Sequence, residues 1–281
     1  MKILITVLLS AITLAIAGCK IDLARVVDNI GNVKTAIVGV DAEEEAEIGS
    51  KAAATLLGAA PMLENEAMQR YVNRVGRWVA MQSDRPALPW RFAVIDHPNV
   101  NAFAAPGGYV FITRGLLFQL RNEAELAGVL GHEIMHVVRK HHLEALKKQA
   151  RLALAGSVAA AALEQRGEDA DKYEWVADGA KTLYTRGLDR GDEFEADRMG
   201  VVLAARAGYD PYGLLAVLQR LDAMSADDGR LALLFKTHPA PADRLSHLAQ
   251  RMEGRMDSLS GLKAGSERFR ERMRVLIAAG N

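Results

Sequence analysis

Residues 131–142 read GHEIMHVVRKHH, and within them His132-Glu133-Ile134-Met135-His136 sets two imidazoles and a carboxylate in one helical register. Side chains four apart lie one above the other on a helix face, so His132 and His136 can reach a single ion. Glu133 is turned by about 100° from His132 on a 3.6-residue helix, where its carboxylate can face an open coordination position. A catalytic zinc asks for those parts: three protein ligands, a fourth position kept for water, and a base beside it. The flanks make the segment helical. Asn122 stands as N-cap, Glu125 follows three residues later as the partner of a capping box, and Leu126, Val129, Leu130, Ile134 and Val137 recur at helical spacing. The bland alternative, two core histidines satisfied by backbone carbonyls, still leaves Glu133 in need of a partner, because an isolated buried carboxylate is costly.

A third ligand has to come from elsewhere in the chain. Downstream, Arg190-Gly191-Asp192-Glu193-Phe194-Glu195-Ala196-Asp197-Arg198-Met199-Gly200 opens a second helix. Glu193 and Asp197 are again four apart, on a face that continues into Gly200 and Val201. Glu193 as ligand and Asp197 as acceptor for the N–H of a ligand imidazole would give both carboxylates a purpose. The alternative is a solvated acidic first turn favoured by the helix dipole. The histidine pentad favours the ligand reading.

The pattern H-E-x-x-H followed by E-x-x-x-D resembles the HtpX and CAAX-prenyl-endopeptidase type of zinc metallopeptidase, a gluzincin family, and most of all its periplasmic LoiP- and BepA-like members. Further landmarks in the same order are Glu45-Ala46-Glu47-Ile48-Gly49, Tyr71-Val72-Asn73-Arg74-Val75-Gly76, Val100-Asn101-Ala102-Phe103-Ala104-Ala105-Pro106-Gly107-Gly108 and Thr237-His238-Pro239. The similarity covers roughly residues 41–250. It implies a zincin-like α+β domain, mainly α with a small β-sheet, built on an HExxH active-site helix. It further implies one Zn²⁺ per chain held by His132, His136 and Glu193, Glu133 as general base, and Asp197 orienting a ligand. By the same resemblance the substrates are misfolded or damaged cell-envelope proteins. No helical repeat array follows before Asn281, so a docking platform for large clients is not expected.

The beginning of the chain suggests an address. Lys2 precedes an apolar run over 3–17, and Ile16-Ala17-Gly18-Cys19 reads as a lipobox with cleavage before Cys19. About fifteen apolar residues suit a signal peptide and fall short of the roughly twenty that a membrane span needs. Cys19 is the only cysteine, placed where lipidation requires one. A plain cleaved signal and an uncleaved anchor are the alternatives. The expected organisation is a signal peptide over 1–18, a lipid anchor and tether over 19–40, a metallopeptidase domain over 41–255 and a basic amphipathic helix over 256–281. Lys20 after the cysteine resembles lipoproteins sent to the outer membrane, so the expected location is the periplasmic face of a bacterial membrane, the outer one in preference. Charges balance at 35 basic and 35 acidic residues, which gives nucleic acid no footing as a partner.

Two helices are expected over 41–60 and 63–81. Strand-like runs at 90–95 and 109–113 follow, with Pro106-Gly107-Gly108 as a turn before the second. Asn101, Ala102, Phe103 and Ala104 fall between them, either as a plain connection or as an edge strand bordering the metal; the family resemblance favours an edge that binds extended peptide. His238 has three candidate roles: a fourth metal ligand that keeps the enzyme latent, a donor to the oxyanion formed on a scissile carbonyl, or a cap for the next helix. Arg244 has the reach to pair with a carboxylate that the local sequence does not identify. The apolar stretch 152–163 is too short to cross a bilayer and the charged stretch 165–178 is a candidate lid. Phe269, Met273 and Leu276 form a stripe that packs on the domain or meets anionic lipid. His141 and His142 read as structural, out of reach of an ion held by His132 and His136. The reading is a zinc endopeptidase with polypeptide substrates. A chaperone-like binding protein with a closed, structural zinc site is the alternative, and a zinc hydrolase of other bonds is a third.

Overall fold

The computed structural model describes residues 40–148, 187–224, 228–259 and 261–279. The leader, Cys19 and the tether up to residue 39, the apolar stretch 152–163 and the charged stretch 165–178 lie outside the described residues. Helix α1 (Ala42–Ala59) starts at Asp41, whose carboxylate accepts from Glu43 and Glu44 N–H while Glu44 reaches back to the cap. Helix α2 (Glu66–Ala80) is capped by Asn65 and buries Met68, Tyr71, Val72, Val75 and Val79 along one stripe.

Three short strands follow: β1 (Arg91–Ile95), β2 (Ala102–Ala105) and β3 (Tyr109–Thr113), ordered β1-β3-β2. β3 runs parallel to β1 and antiparallel to β2, with Phe111 opposite Ala93 on one side and Phe103 on the other. The strand period of two sorts the side chains. Phe92, Val94, Ala102, Ala104, Val110 and Ile112 enter the main core, while Ile95, Phe103, Ala105 and Phe111 pack with Ala52 and Ala53 of α1. The turn from β2 to β3 needs positive φ at Gly107 (76°) and Gly108 (96°), a region glycine enters without a Cβ clash.

After a single turn, α3 (Arg114–Leu117), comes α4 (Glu123–Val138), which carries the histidine pentad and is buried from Glu123 to Val137. It packs between α2, β2, α5 (Arg190–Arg206) and α6 (Gly213–Asp222). The capping box expected at its start forms by half. Asn122 accepts from Glu125 N–H, but the Glu125 carboxylate turns to Arg121 N–H and to a two-pronged pair with Arg220 at 2.9 Å on both prongs; a guanidinium is the stronger partner for a buried carboxylate. Further along the chain come short helix α7 (Ala232–Thr237), α8 (Pro241–Met252) and α9 (Ser266–Ala279). α9 lays Phe269, Met273 and Leu276 into the main core. Its Arg268 pairs with the buried Glu123, which also accepts from Tyr71 Oη at 2.8 Å.

Glu45 ties the first helix to the end of α4. Its carboxylate accepts both prongs of Arg85 (2.8 and 2.9 Å), Lys140 Nζ (3.1 Å) and Gly107 N–H (3.2 Å), and Arg85 also donates to Val137 O. Burial raises the Glu45 pKa, but Arg85, Lys140 and Gly107 outweigh it and hold the group below its ordinary 4.5. A carboxyl depressed in the folded state contributes stability above its unfolded pKa, lost as pH falls through the folded value. Thermal melts from pH 7 to pH 3 should therefore show wild type weakening below about 4.5, with a flatter acid limb for Glu45→Gln. At pH 7 that variant should be less stable by about 2–3 kcal/mol, since Arg85 keeps some solvent.

Candidate metal centre

Two histidines on α4 and two carboxylates on α5 can meet only if the helices cross very closely. They do, at glycines. A Cβ on Gly131 would lie 2.7 Å from Gly200 O, and one on Gly200 would lie 2.6 Å from His132 N. Backbone against backbone at this crossing leaves the one-turn-longer side chains to face each other. Glu193 and Asp197 are both 1% exposed, so the solvated-turn alternative does not describe them; Asp192 and Glu195, on the outer side, keep solvent.

His132 Nε2 and His136 Nε2 lie 3.0 Å apart. Glu193 brings Oε2 to 3.6 Å from the first and Oε1 to 3.6 Å from the second. Zinc–nitrogen and zinc–oxygen bonds near 2.1 Å at tetrahedral angles separate ligand atoms by about 3.4 Å, so the three side chains fit that ion. His238 completes a group whose candidate ligand atoms all fall within 4.8 Å of one another. Burial pushes the Glu193 carboxyl up to about 7, against the pull of His238 and Arg244, and its Oε2 finds no hydrogen-bond partner in the protein. A buried carboxylate so placed is suited to a cation. The imidazoles are suited to the same ion. Burial and the surrounding rings hold His136 well below its ordinary pKa, and burial brings His238 down to about 4; neutral nitrogen is the ligand form.

Asp197 stands behind His132, its Oδ1 2.9 Å from Nδ1. Arg244 from α8 grips the same carboxylate with Nε at 3.0 Å and Nη2 at 2.5 Å. Burial would raise the Asp197 pKa, but Arg244 and His132 hold it far below the carboxylate range. The partner that local sequence could not give Arg244 is thus Asp197, 47 residues away. Glu133 points to the other side of His132, 3.8 Å from His238 Nε2. Burial lifts its carboxyl to about 6, against the pull of His132 and Arg244.

His238 follows the last residue of α7, in extended backbone. Its Nδ1 is 2.9 Å from Thr237 Oγ1. That hydroxyl donates its one proton to Leu233 O and accepts from Asn101 Nδ2. The other ring nitrogen, Nε2, faces Glu133 and Glu193 at 3.8 and 3.9 Å. Asn101 is fully buried and acts here through Thr237, while β2 itself begins at Ala102. Ala102, Phe103 and Ala104 line a small pocket with Glu133, His136 and His238. A second small pocket runs from Glu133 between Leu116, Val129, Leu214 and Val217.

His141 is nearer to the centre than its sequence position suggests: its Nδ1 lies 3.0 Å from Nδ1 of His136. The chain enters this arrangement through Lys140, whose φ of 59° breaks the helix and turns the following residues back beneath α4.

A model of peptidase family M48 matches residues 66–252. The chain is 27% identical over 255 residues to the beta-barrel assembly-enhancing protease of Escherichia coli (strain K12), covering 89% of this chain and 52% of that protein. It is 31% identical over 235 residues to a putative beta-barrel assembly-enhancing protease of Vibrio cholerae, covering 79% and 46%. With the mitochondrial metalloendopeptidase OMA1 of Schizosaccharomyces pombe it shares 31% over 180 residues, covering 64% and 52%. The chain spans about half the length of the curated relatives it matches.

The helix crossing can be tested without touching a polar group. Gly200→Ala should cost about 1–3 kcal/mol in thermal or denaturant unfolding, the range for overpacking a tight contact. It should also weaken zinc binding in a chelator competition, because the added methyl drives His132 away from Glu193.

Proposed function

Since the chain belongs to peptidase family M48, we propose zinc-dependent hydrolysis of peptide bonds as its function, with His132, His136 and Glu193 holding one ion and Glu133 acting as general base. The observation that carries this reading is the convergence of three buried ligand side chains beside a fourth buried group, Glu133, that is no part of the ligand triangle. Zinc is the cofactor of the family, and when bound it supplies the Lewis acidity that acidifies a water and polarises a carbonyl. Glu133 takes the proton of the attacking water and returns it to the amine as the C–N bond breaks. Asp197 accepts from His132 Nδ1–H and so keeps Nε2 free to ligate. Ala102, Phe103 and Ala104 form one wall of the substrate cleft.

His238 is the fourth ligand of a resting, latent state in this reading. The support is its position: its ring nitrogen belongs to the same tight group of candidate ligand atoms as His132, His136 and Glu193, with Nε2 3.9 Å from Glu193. A closed four-ligand site also suits a zinc-containing binding protein of chaperone type, the second reading. The clients proposed are unfolded or damaged envelope polypeptides. Support comes from the bacterial relatives, named for enhancing beta-barrel assembly, and from the lipobox at Cys19, which with the apolar 3–17 would tether the enzyme by lipid at the periplasmic face of the outer membrane. Among the described residues no helix is long and apolar enough to cross a membrane.

Cleavage of casein by wild type, Glu133→Gln and His238→Ala tests the reading. Glu133→Gln should retain zinc and lose turnover by at least about 10²-fold, the low end of general-base contributions. Cleavage at the wild-type rate in that variant would overturn the mechanism. His238→Ala should cleave faster than wild type if the histidine closes the site; a slower rate would assign it to the oxyanion instead. Zinc-loaded wild type and His238→Ala that both leave casein intact would favour the binding protein.

A further inference from the structure

The two histidines of the pentad are supported in different ways, and the difference assigns a role to a third. For His136 to offer Nε2 to the cluster it must carry its proton on Nδ1, and that proton needs an acceptor. The group in reach is the Nδ1 of His141, 3.0 Å away, with the two rings crossed at 71°. His141 can accept there only with its own proton on Nε2. That nitrogen faces the first turn of α5, 3.6 Å from Glu195 Oε2 and 3.8 Å from Asp192 Oδ1. Each nitrogen of both rings then has one defined role.

We infer that His141 is a positioning residue of the metal centre, accepting the His136 Nδ1–H and handing its own polarity to Glu195 and Asp192. This rests on the zinc reading above. The backbone is built for it. α4 ends at Val138, Lys140 takes the left-handed conformation, and the chain turns so that the ring of residue 141 comes back under residue 136. Lys140 is held there by Glu45 at 3.1 Å, and Arg139 by Glu195 at 2.8 Å, so the turn is fixed on both sides. The choice of an imidazole rather than a carboxylate also has a physical reason. Glu133, Glu193 and Asp197 already place three carboxylates in the buried centre with one guanidinium. A fourth buried anion behind His136 would be expensive to desolvate. His141, itself 5% exposed, carries the polarisation outward to carboxylates whose side chains are 29–37% exposed. Water solvates the charge there.

The test is zinc affinity of the purified full chain, measured by chelator competition and paired with a melt of each apo form to establish folding. His141→Phe keeps an aromatic ring and removes the acceptor; zinc affinity should fall 10–100-fold, the range for partners of ligand imidazoles. His141→Asn places an amide oxygen near the lost nitrogen and should recover most of that loss. Affinity within twofold of wild type in His141→Phe overturns the inference, as does an equal loss in the Phe and Asn variants when both are folded. If His141→Phe does not fold, Glu195→Gln with Asp192→Asn decides: a several-fold loss is expected, and none overturns it. A wild-type chain that binds no zinc refutes instead the metal-centre reading on which this rests.

Discussion

The functional centre depends on the separation of two helices. Three side chains of ordinary length can bring nitrogen and oxygen atoms to within 3.0–3.6 Å of one another only if α4 and α5 approach to backbone contact. Gly131 and Gly200 supply that approach, each occupying space a Cβ would deny the other helix. Interaxial distances follow the residues at the contact, so here the smallest residues set the gap and the largest polar ones fill what lies beside it. The sheet, α2 and α6 hold α4 from its other sides. Because α4 is buried along its length, its registry against α5 is set by packing on every face rather than by the polar groups of the centre alone.

Around this crossing, the fold repeats one device for taking a carboxylate out of water. Glu45 meets Arg85, Glu123 meets Arg268, Glu125 meets Arg220 and Asp197 meets Arg244. In each case the carboxylate is 3% exposed or less at its side chain and the guanidinium comes from a different part of the chain. Such pairs are weak evidence for net stability, since desolvation opposes the attraction. Their effect is on arrangement. A carboxylate that must not be left alone accepts one packing of its element and rejects others, and Glu45, Glu123 and Asp197 each fasten a different part of the chain to α4 or to the helix facing it. α9 is fastened in this way through Arg268 as well as by Phe269, so it belongs to the core it covers.

What the sequence revealed and what it hid divide along the same line. Spacing and composition are local, and the features that rest on them were legible: the pentad's helix, the strand-like composition of 90–95 and 109–113, the glycine turn, and Glu193 and Asp197 as a pair one helical turn apart. Partnerships between distant residues have no period. Arg244 could be seen to want a carboxylate, but that it should be Asp197 depends on how α8 crosses α5. Glu125 reads as a capping-box residue because Asn122 is three places before it, and it is drawn away by Arg220, 95 residues on. His141 was hidden for a subtler reason. A helix continued past Val138 would carry position 141 about 140° around the axis from His136, facing elsewhere. The left-handed residue between them cancels that rotation, and a lysine at positive φ gives no sign of itself in the sequence.

Charge explains why the buried centre suits a divalent cation. Glu133, Glu193 and Asp197 oppose one guanidinium, Arg244, while burial keeps His136 and His238 neutral. With all three carboxylates ionised the group carries a formal charge of minus two. Burial first, and the neighbouring carboxylates after it, raise Glu193 to about 7 and Glu133 to about 6, while Asp197, against Arg244 and His132, stays low. A divalent cation among His132, His136 and Glu193 brings the sum to neutrality. It would lower both raised carboxyls, Glu193 by direct ligation and Glu133 through space, so the same ion that activates water would keep the neighbouring base ionised to receive the proton. A neutral imidazole at position 141 leaves that balance undisturbed where a carboxylate would shift it.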